Sequence, residues 1–244
     1  MSEKKYLRED VEYVLLDLDG TLLPLEIEEF LQDYFRLLTS EFRDLASPEK
    51  FIELLMEATG EMIANSGEST NQEVFRSVFF KQLGIKERRE EIMKRFHKFY
   101  REKFPALKRE EYSAGRGKEL VNLLLDRGYN LVLATNPIFP ETAIRERIRW
   151  TGLDPETFSY ITSYENMHYA KPNPEYYQEI IKMLDCSPGE CIMVGNDLKE
   201  DMAAGRVGIK TFLVEDYIRG EEEDGFEPNW QGSFEELLIY LRRV

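Results

Sequence analysis

Five short apolar runs, each closing on polar or acidic residues and separated by stretches of helical period, constrain this chain more than any other feature. They span residues 11–18, 130–135, 158–162, 191–194 and 210–214. Each is four to eight residues long, and the first, rich in aliphatics and ending in Asp-Gly, reads as a buried strand running into a turn. Between them lie helical patterns. Residues 118–127 carry Val121, Leu124 and Leu125 on one face and stop at Gly128. Residues 141–150, 174–184 and 199–206 follow, and a capping box from Ser233 to Glu236 opens a last helix. Strands alternating with helices predict βαβ units, hence an α/β fold: a Rossmann-like parallel sheet with helices on both faces.

Residues 25–110 break that alternation. They hold no convincing strand, and Ile27, Phe30, Leu31, Tyr34 and Leu38 follow a helical period. Ser47-Pro48 predicts an N-cap followed by proline in the first turn. Thr70 and Glu73 make a second capping box, and Ile92, Phe96, Phe99 and Tyr100 a further stripe. About four helices are therefore expected as an insertion, residues 24–110, within a core formed by residues 1–23 and 111–244. The aromatic stripes read as core, with the alternative that a few of them line a substrate pocket.

A net charge of -15 over 244 residues repels phosphate backbones and argues against nucleic-acid binding. It equally means that an enzyme handling phosphate here needs local positive charge, from a metal ion or from a well-placed lysine or arginine. Residues 1–10 are charged with no apolar core of a signal peptide, and no run approaches a membrane span, so a cytoplasmic protein is expected with no membrane partner. Cys186 and Cys191 read as reduced thiols and, with only His97 and His168 beside them, make a poor zinc set.

The chemistry gathers at the strand ends. In Asp17-Leu18-Asp19-Gly20-Thr21 two carboxylates stand at i and i+2 where the first strand stops. In a parallel α/β sheet, ligands bind beyond the carboxyl ends of the strands. Two acids so close repel unless a proton or cation intervenes, and Mg²⁺, a hard cation, prefers such oxygen ligands. The second strand ends in Thr135-Asn136 and the fourth in Gly195-Asn196-Asp197, with Asp201 four residues on. Lys171 sits in a proline-stiffened loop, Lys171-Pro172-Asn173-Pro174. Acids, a hydroxyl, an amide and a lysine are what phosphoryl transfer uses: a nucleophile, a metal and counter-charge for the equatorial oxygens.

These four segments, in this order, resemble the motifs of the haloacid dehalogenase superfamily. The resemblance covers residues 11–23 and roughly 113–214. It implies that Asp17 is the nucleophile forming an aspartyl-phosphate and that Asp19 is the general acid and base. It further implies that Thr135 and Asn136 hold the phosphoryl group, and that Lys171 neutralises charge. Mg²⁺ would be held by the Asp17 carboxylate, the Asp19 main-chain carbonyl and Asp197, with Asp201 acting behind it. The last motif departs from the family pattern, because Asn196 occupies a place where a carboxylate is usual if the spacing is counted from it; Asp197 is the expected ligand. The helical insertion falls where the family carries a cap, with hinges expected at Leu23-Pro24 and in residues 110–117, which include Gly115.

The function expected is a Mg²⁺-dependent phosphatase acting on a small phosphorylated metabolite. A sugar phosphomutase and a non-catalytic module binding a phosphorylated ligand are the alternatives. The intact pair Asp17 and Asp19 argues against dehalogenation, which does not need the second acid. Phosphonate cleavage would need a cap lysine such as Lys50 or Lys81, both of which read as surface residues.

Overall fold

The computed structural model describes residues 10–113, 116–220 and 227–243. Its core is one six-stranded sheet in the order β3-β2-β1-β4-β5-β6, with every pair parallel. The strands are β1 (Tyr13–Leu16), β2 (Asn130–Leu133), β3 (Tyr160–Ile161), β4 (Cys191–Gly195), β5 (Lys210–Val214) and β6 (Trp230–Gly232). From β1 the chain steps outward through β2 to β3. It then returns to the other side of β1 for β4, β5 and β6. The winding direction therefore reverses between β1 and β4, the kind of switch point that opens a crevice beyond the carboxyl ends.

Strand residues alternate between two apolar clusters, as the pleat requires. Val14, Leu16, Leu131, Leu133, Ile192, Val194, Phe212 and Val214 face one cluster, shared with α5 (Arg116–Leu125), α6 (Glu141–Trp150) and α8 (Phe234–Arg243). Leu15, Val132 and Met193 face the other, covered by Tyr176, Tyr177 and Ile180 of α7 (Pro174–Leu184) and by Ala203 and Ala204. Each such side chain contributes about 1.5–3 kcal/mol over its exposed state, so both faces are strongly held.

The predicted insertion forms four α-helices: α1 (Ile27–Glu41), α2 (Pro48–Ile63), α3 (Asn71–Leu83) and α4 (Arg89–Glu102). Ser47 caps α2, and the reciprocal Thr70–Glu73 capping box opens α3. The aromatic stripes are buried: Phe30, Tyr34, Phe96, Phe99 and Tyr100 join the same cluster as Val14, Leu16 and Leu131 of the sheet. Trp150 of α6 stacks on Phe104 and Tyr112, with ring centroids 5.4 and 5.7 Å apart. Asn71, the first residue of α3, donates through Nδ2 to the carbonyls of Pro137 and Tyr169 and through its main-chain N–H to Met167. Where the insertion leaves and rejoins the core, Gly117 lies against the Leu22 carbonyl so closely that a β-carbon would overlap it. Gly115 lies outside the described residues.

Two elements differ from expectation. β6 is a three-residue edge strand, Trp230-Gln231-Gly232, with no apolar run to announce it. The helix expected over 199–206 is instead a 3₁₀ helix over Met202–Val207. Its start is displaced because Asp197 Oδ1 accepts the N–H groups of Lys199 and Glu200, closing a tight turn ahead of it.

Candidate active site

After β1 the chain makes a small loop. Gly20 N–H bonds the Leu23 carbonyl at 2.8 Å and Leu23 N–H returns to Leu18 at 2.8 Å. Gly20 has φ +88° and presses on the Asn196 side chain, a conformation and a clearance that only glycine supplies. Asn196 braces this loop against the segment that follows β5. Its Oδ1 accepts from the Thr21 hydroxyl at 3.0 Å, and its Nδ2 donates to the Tyr217 carbonyl at 2.5 Å.

Beyond the strand ends lies a cavity of about 170 Å³. Asp17, Asp19, Thr135, Asn136, Asp197 and Asp201 all line it. Lys171, fully buried after a tight loop with a cis Lys171–Pro172 peptide, lies against this group. Its Nζ donates to Asp17 Oδ1 at 3.0 Å and to Asp201 Oδ1 at 2.5 Å. All seven residues singled out in the sequence therefore converge, although up to 184 positions separate the first from the last. Thr135 is fixed by its own carbonyl, which accepts from Thr162 Oγ1 at 2.8 Å and from Tyr176 Oη at 2.9 Å. Asn136 Nδ2 reaches the Lys171 carbonyl at 3.4 Å, while its Oδ1 is buried without a partner among the described residues. Asp201 Oδ2 accepts the Asp197 N–H at 2.9 Å, and Gly195 passes so close that any side chain there would overlap the Asp201 carboxylate.

The site is short of positive charge. Burial pushes the Asp17 carboxyl up, and Lys171 only partly offsets this, with Asp19 adding repulsion. Asp201 is raised in the same way. Glu200, also at the cavity, is pushed up to about 7 by burial despite Lys171, with Asp197 and Asp201 adding to the rise. For Lys171 itself burial disfavours the charge, but Asp17 and Asp201 outweigh it and hold the ammonium well above its ordinary range. One ammonium thus serves two carboxylates; Lys171 stays charged and the acids carry the penalty.

Three charged lining residues were not foreseen: Arg147, Glu200 and Arg219. Arg147 is 1% exposed on α6 and pairs through Nη1 with Asp19 Oδ2. Its Nε and Nη2 are buried without partners among the described residues, as is Asp19 Oδ1. Its guanidinium carbon lies 4.6 Å from the Phe139 ring centroid. The signal was present: Arg147 falls on the apolar stripe of α6 with Ala143, Ile144 and Ile148, where a solvated arginine would not be placed. His168 does not line this cavity; its Nδ1 lies 2.7 Å from Glu179 Oε1. Lys50 and Lys81 do not line it either; Lys50 pairs with Glu53 on the surface.

The residues present fit a divalent cation. Among the described residues no three His, Cys, Asp or Glu side chains form a ready-made metal cluster. The expected set, however, uses two side-chain carboxylates, Asp17 and Asp197, with the Asp19 main-chain carbonyl. The orphaned Asp19 Oδ1 and the raised acids around Lys171 mark a shortage of positive charge that such an ion offsets. The turn at Asp197 occupies Oδ1 with two N–H groups, whereas both polar atoms of the Asn196 amide are committed to Thr21 and Tyr217.

A parallel, doubly wound sheet with acids at the ends of β1 and β4 and a buried lysine between them defines an α/β protein with a carboxylate-rich site at its strand ends. The sequence profile described as haloacid dehalogenase-like hydrolase matches residues 14–214. The chain belongs to that family. Among curated relatives, the pyrophosphatase PpaX of Halalkalibacterium halodurans is 34% identical over 104 residues, 43% of this chain. The matched segment spans 47% of that relative, so about half its length. Among solved structures, a HAD phosphatase from Thermococcus onnurineus aligns over 95% of this chain and 98% of its own, with a TM-score of 0.56 and 22% identity. An L-2-haloacid dehalogenase from Xanthobacter autotrophicus aligns over 95% and 98%, with a TM-score of 0.57 and 13% identity. At such identities the likeness shows the fold alone, and the fold hosts both chemistries.

Proposed function

We propose that this protein is a Mg²⁺-dependent phosphatase that hydrolyses small phosphate monoesters through an aspartyl-phosphate on Asp17, with residues 24–110 acting as a cap over the site. The observation that carries this reading is the buried Lys171 ammonium bonded to both Asp17 and Asp201, which line a cavity together with Asp19 and Thr135. A trianionic transition state is met there by fixed charge and by a hydroxyl. Asp17, the Asp19 main-chain carbonyl and Asp197 would hold Mg²⁺, which would supply further positive charge against the phosphoryl group.

Asp17 Oδ attacks phosphorus, and the bond from phosphorus to the ester oxygen breaks. The departing oxygen takes a proton from Asp19. Water then gives a proton back to Asp19 and attacks the aspartyl-phosphate, freeing inorganic phosphate and restoring the Asp17 carboxylate. Arg147 holds Asp19 by Oδ2, which leaves the unpartnered Oδ1 as the atom that carries the proton. Dehalogenation, which the fold also hosts, gives no role to that second carboxyl.

The test is hydrolysis of p-nitrophenyl phosphate and of a panel of phosphorylated metabolites with and without Mg²⁺. Turnover is expected with Mg²⁺ and lost in Asp17→Asn. Absence of turnover across the panel, or full activity in Asp17→Asn, overturns the proposal.

A further inference from the structure

A second cavity, of about 130 Å³, lies between the helical insertion and the loops of the core that carry Ile138, Phe139, Pro140 and Tyr164. Leu31 of α1 and Ile138 and Phe139 of the loop after β2 line both spaces, so the two adjoin across these side chains. The loop that carries Thr135 and Asn136 thus also walls the inner chamber.

The chamber is mostly apolar in composition, with few polar groups facing it. Tyr34 and Tyr100 bond each other, with oxygens 2.7 Å apart. The Thr59 hydroxyl donates to the Leu55 carbonyl at 2.9 Å within α2. Phe75 and Phe96 supply ring surface. The Tyr34–Tyr100 bond uses one of their two O–H donors, so a hydroxyl-rich or charged group placed there finds few partners and loses most of its water without replacement. An apolar group finds a site of suitable size: an apolar cavity of about 150 Å³ takes up benzene.

We infer that this chamber is the leaving-group subsite, and that the substrate is a phosphate monoester of an apolar alcohol carrying one ring or a short branched chain. The inference rests on the phosphatase reading for the reaction but not for the binding. With phosphorus beside Asp17 and the ester oxygen at Asp19, the carbon skeleton has Leu31, Ile138 and Phe139 before it and the chamber beyond. Inorganic pyrophosphate, phosphoglycolate and sugar phosphates would leave the chamber empty.

Two measurements test this. The first is calorimetric titration of the intact protein with phenylphosphonate and with methylphosphonate. Phenylphosphonate is expected to bind roughly tenfold more tightly or better, given what a hydrophobic pocket gains per buried group; equal or reversed affinities overturn the inference. The second compares kcat/KM for benzyl phosphate with that for glycerol phosphate and pyrophosphate in wild type and in Thr59→Phe, which fills the chamber. Benzyl phosphate is expected to lead in wild type, and its advantage to fall about tenfold in the variant. A preference for the polar substrates, or a ratio that Thr59→Phe leaves unmoved, counts against it. Phosphonate discrimination without any turnover would sink the phosphatase reading and leave the subsite standing; turnover without discrimination would do the reverse.

Discussion

Arg147 pairs with Asp19 from a buried position on α6, its guanidinium lying against Phe139 at the wall between the two cavities. The pair fixes which Asp19 oxygen faces the reaction. Arg147→Met keeps the length and the contact with Phe139 but frees Asp19. A displacement of about an ångström at a catalytic group costs on the order of a hundredfold. We therefore expect kcat for p-nitrophenyl phosphate to fall ten- to a hundredfold, roughly, on the same grounds. Arg147→Lys retains charge without the planar fork and is expected to fall between the two. If both variants lose only thermal stability, with kcat per folded molecule intact, Arg147 serves packing alone.

Lys171 is the single cation that two buried carboxylates share. Removing one partner of such a group costs about 3–5 kcal/mol, and Lys171→Met should lose that much in denaturant unfolding at neutral pH, together with all turnover. The deficit has a pH signature. Asp17, Asp201 and Glu200 have folded-state values above the ordinary carboxylate range, so they bind protons more tightly folded than unfolded. Their contribution to stability is present at low pH and is lost as the pH rises from the ordinary carboxylate range to about 7, the value for Glu200. The metal-free variant is accordingly expected to lie closer to wild type at pH 5 than at pH 8. A gap that widens on acidification would contradict the assignment of charge at this site.

The strands that carry the site were legible because each is a dense aliphatic run, and α6 and α7 match their predicted bounds because Pro140 and Asn173 mark their starts. β6 was not legible: Trp230-Gln231-Gly232 is an edge strand that needs one apolar face and little length. The 3₁₀ geometry after Asp197 was hidden for another reason, since periodicity registers which residues are apolar and not which carboxylate closes a turn. Asp17, Asp19 and Lys171 could be found from their places at strand ends and in a rigid loop. Arg147 could not be tied to Asp19 from the sequence, because 128 positions separate them and only the fold supplies the contact.

The sequence left open whether Asn196 or Asp197 takes the metal-ligand place, and the side-chain partners make the two separable by experiment. Asn196 Oδ1 and Nδ2 tie the Thr21 hydroxyl to the Tyr217 carbonyl. Asn196→Ala leaves both without that partner, which should cost about 1–3 kcal/mol, seen as a lower unfolding midpoint, while the Mg²⁺ concentration for half-maximal activity stays near that of wild type. Asp197→Asn should do the opposite. Its amide oxygen can still accept the Lys199 and Glu200 N–H groups that Asp197 Oδ1 accepts, so the turn survives. A neutral amide is, however, a poorer ligand than a carboxylate for a hard cation. The half-maximal Mg²⁺ concentration is expected to rise about tenfold or more, the scale on which changes around a metal site act. Should Asn196→Ala abolish the Mg²⁺ dependence while Asp197→Asn leaves it intact, the ligand is Asn196, and the brace to Thr21 must open when the metal binds.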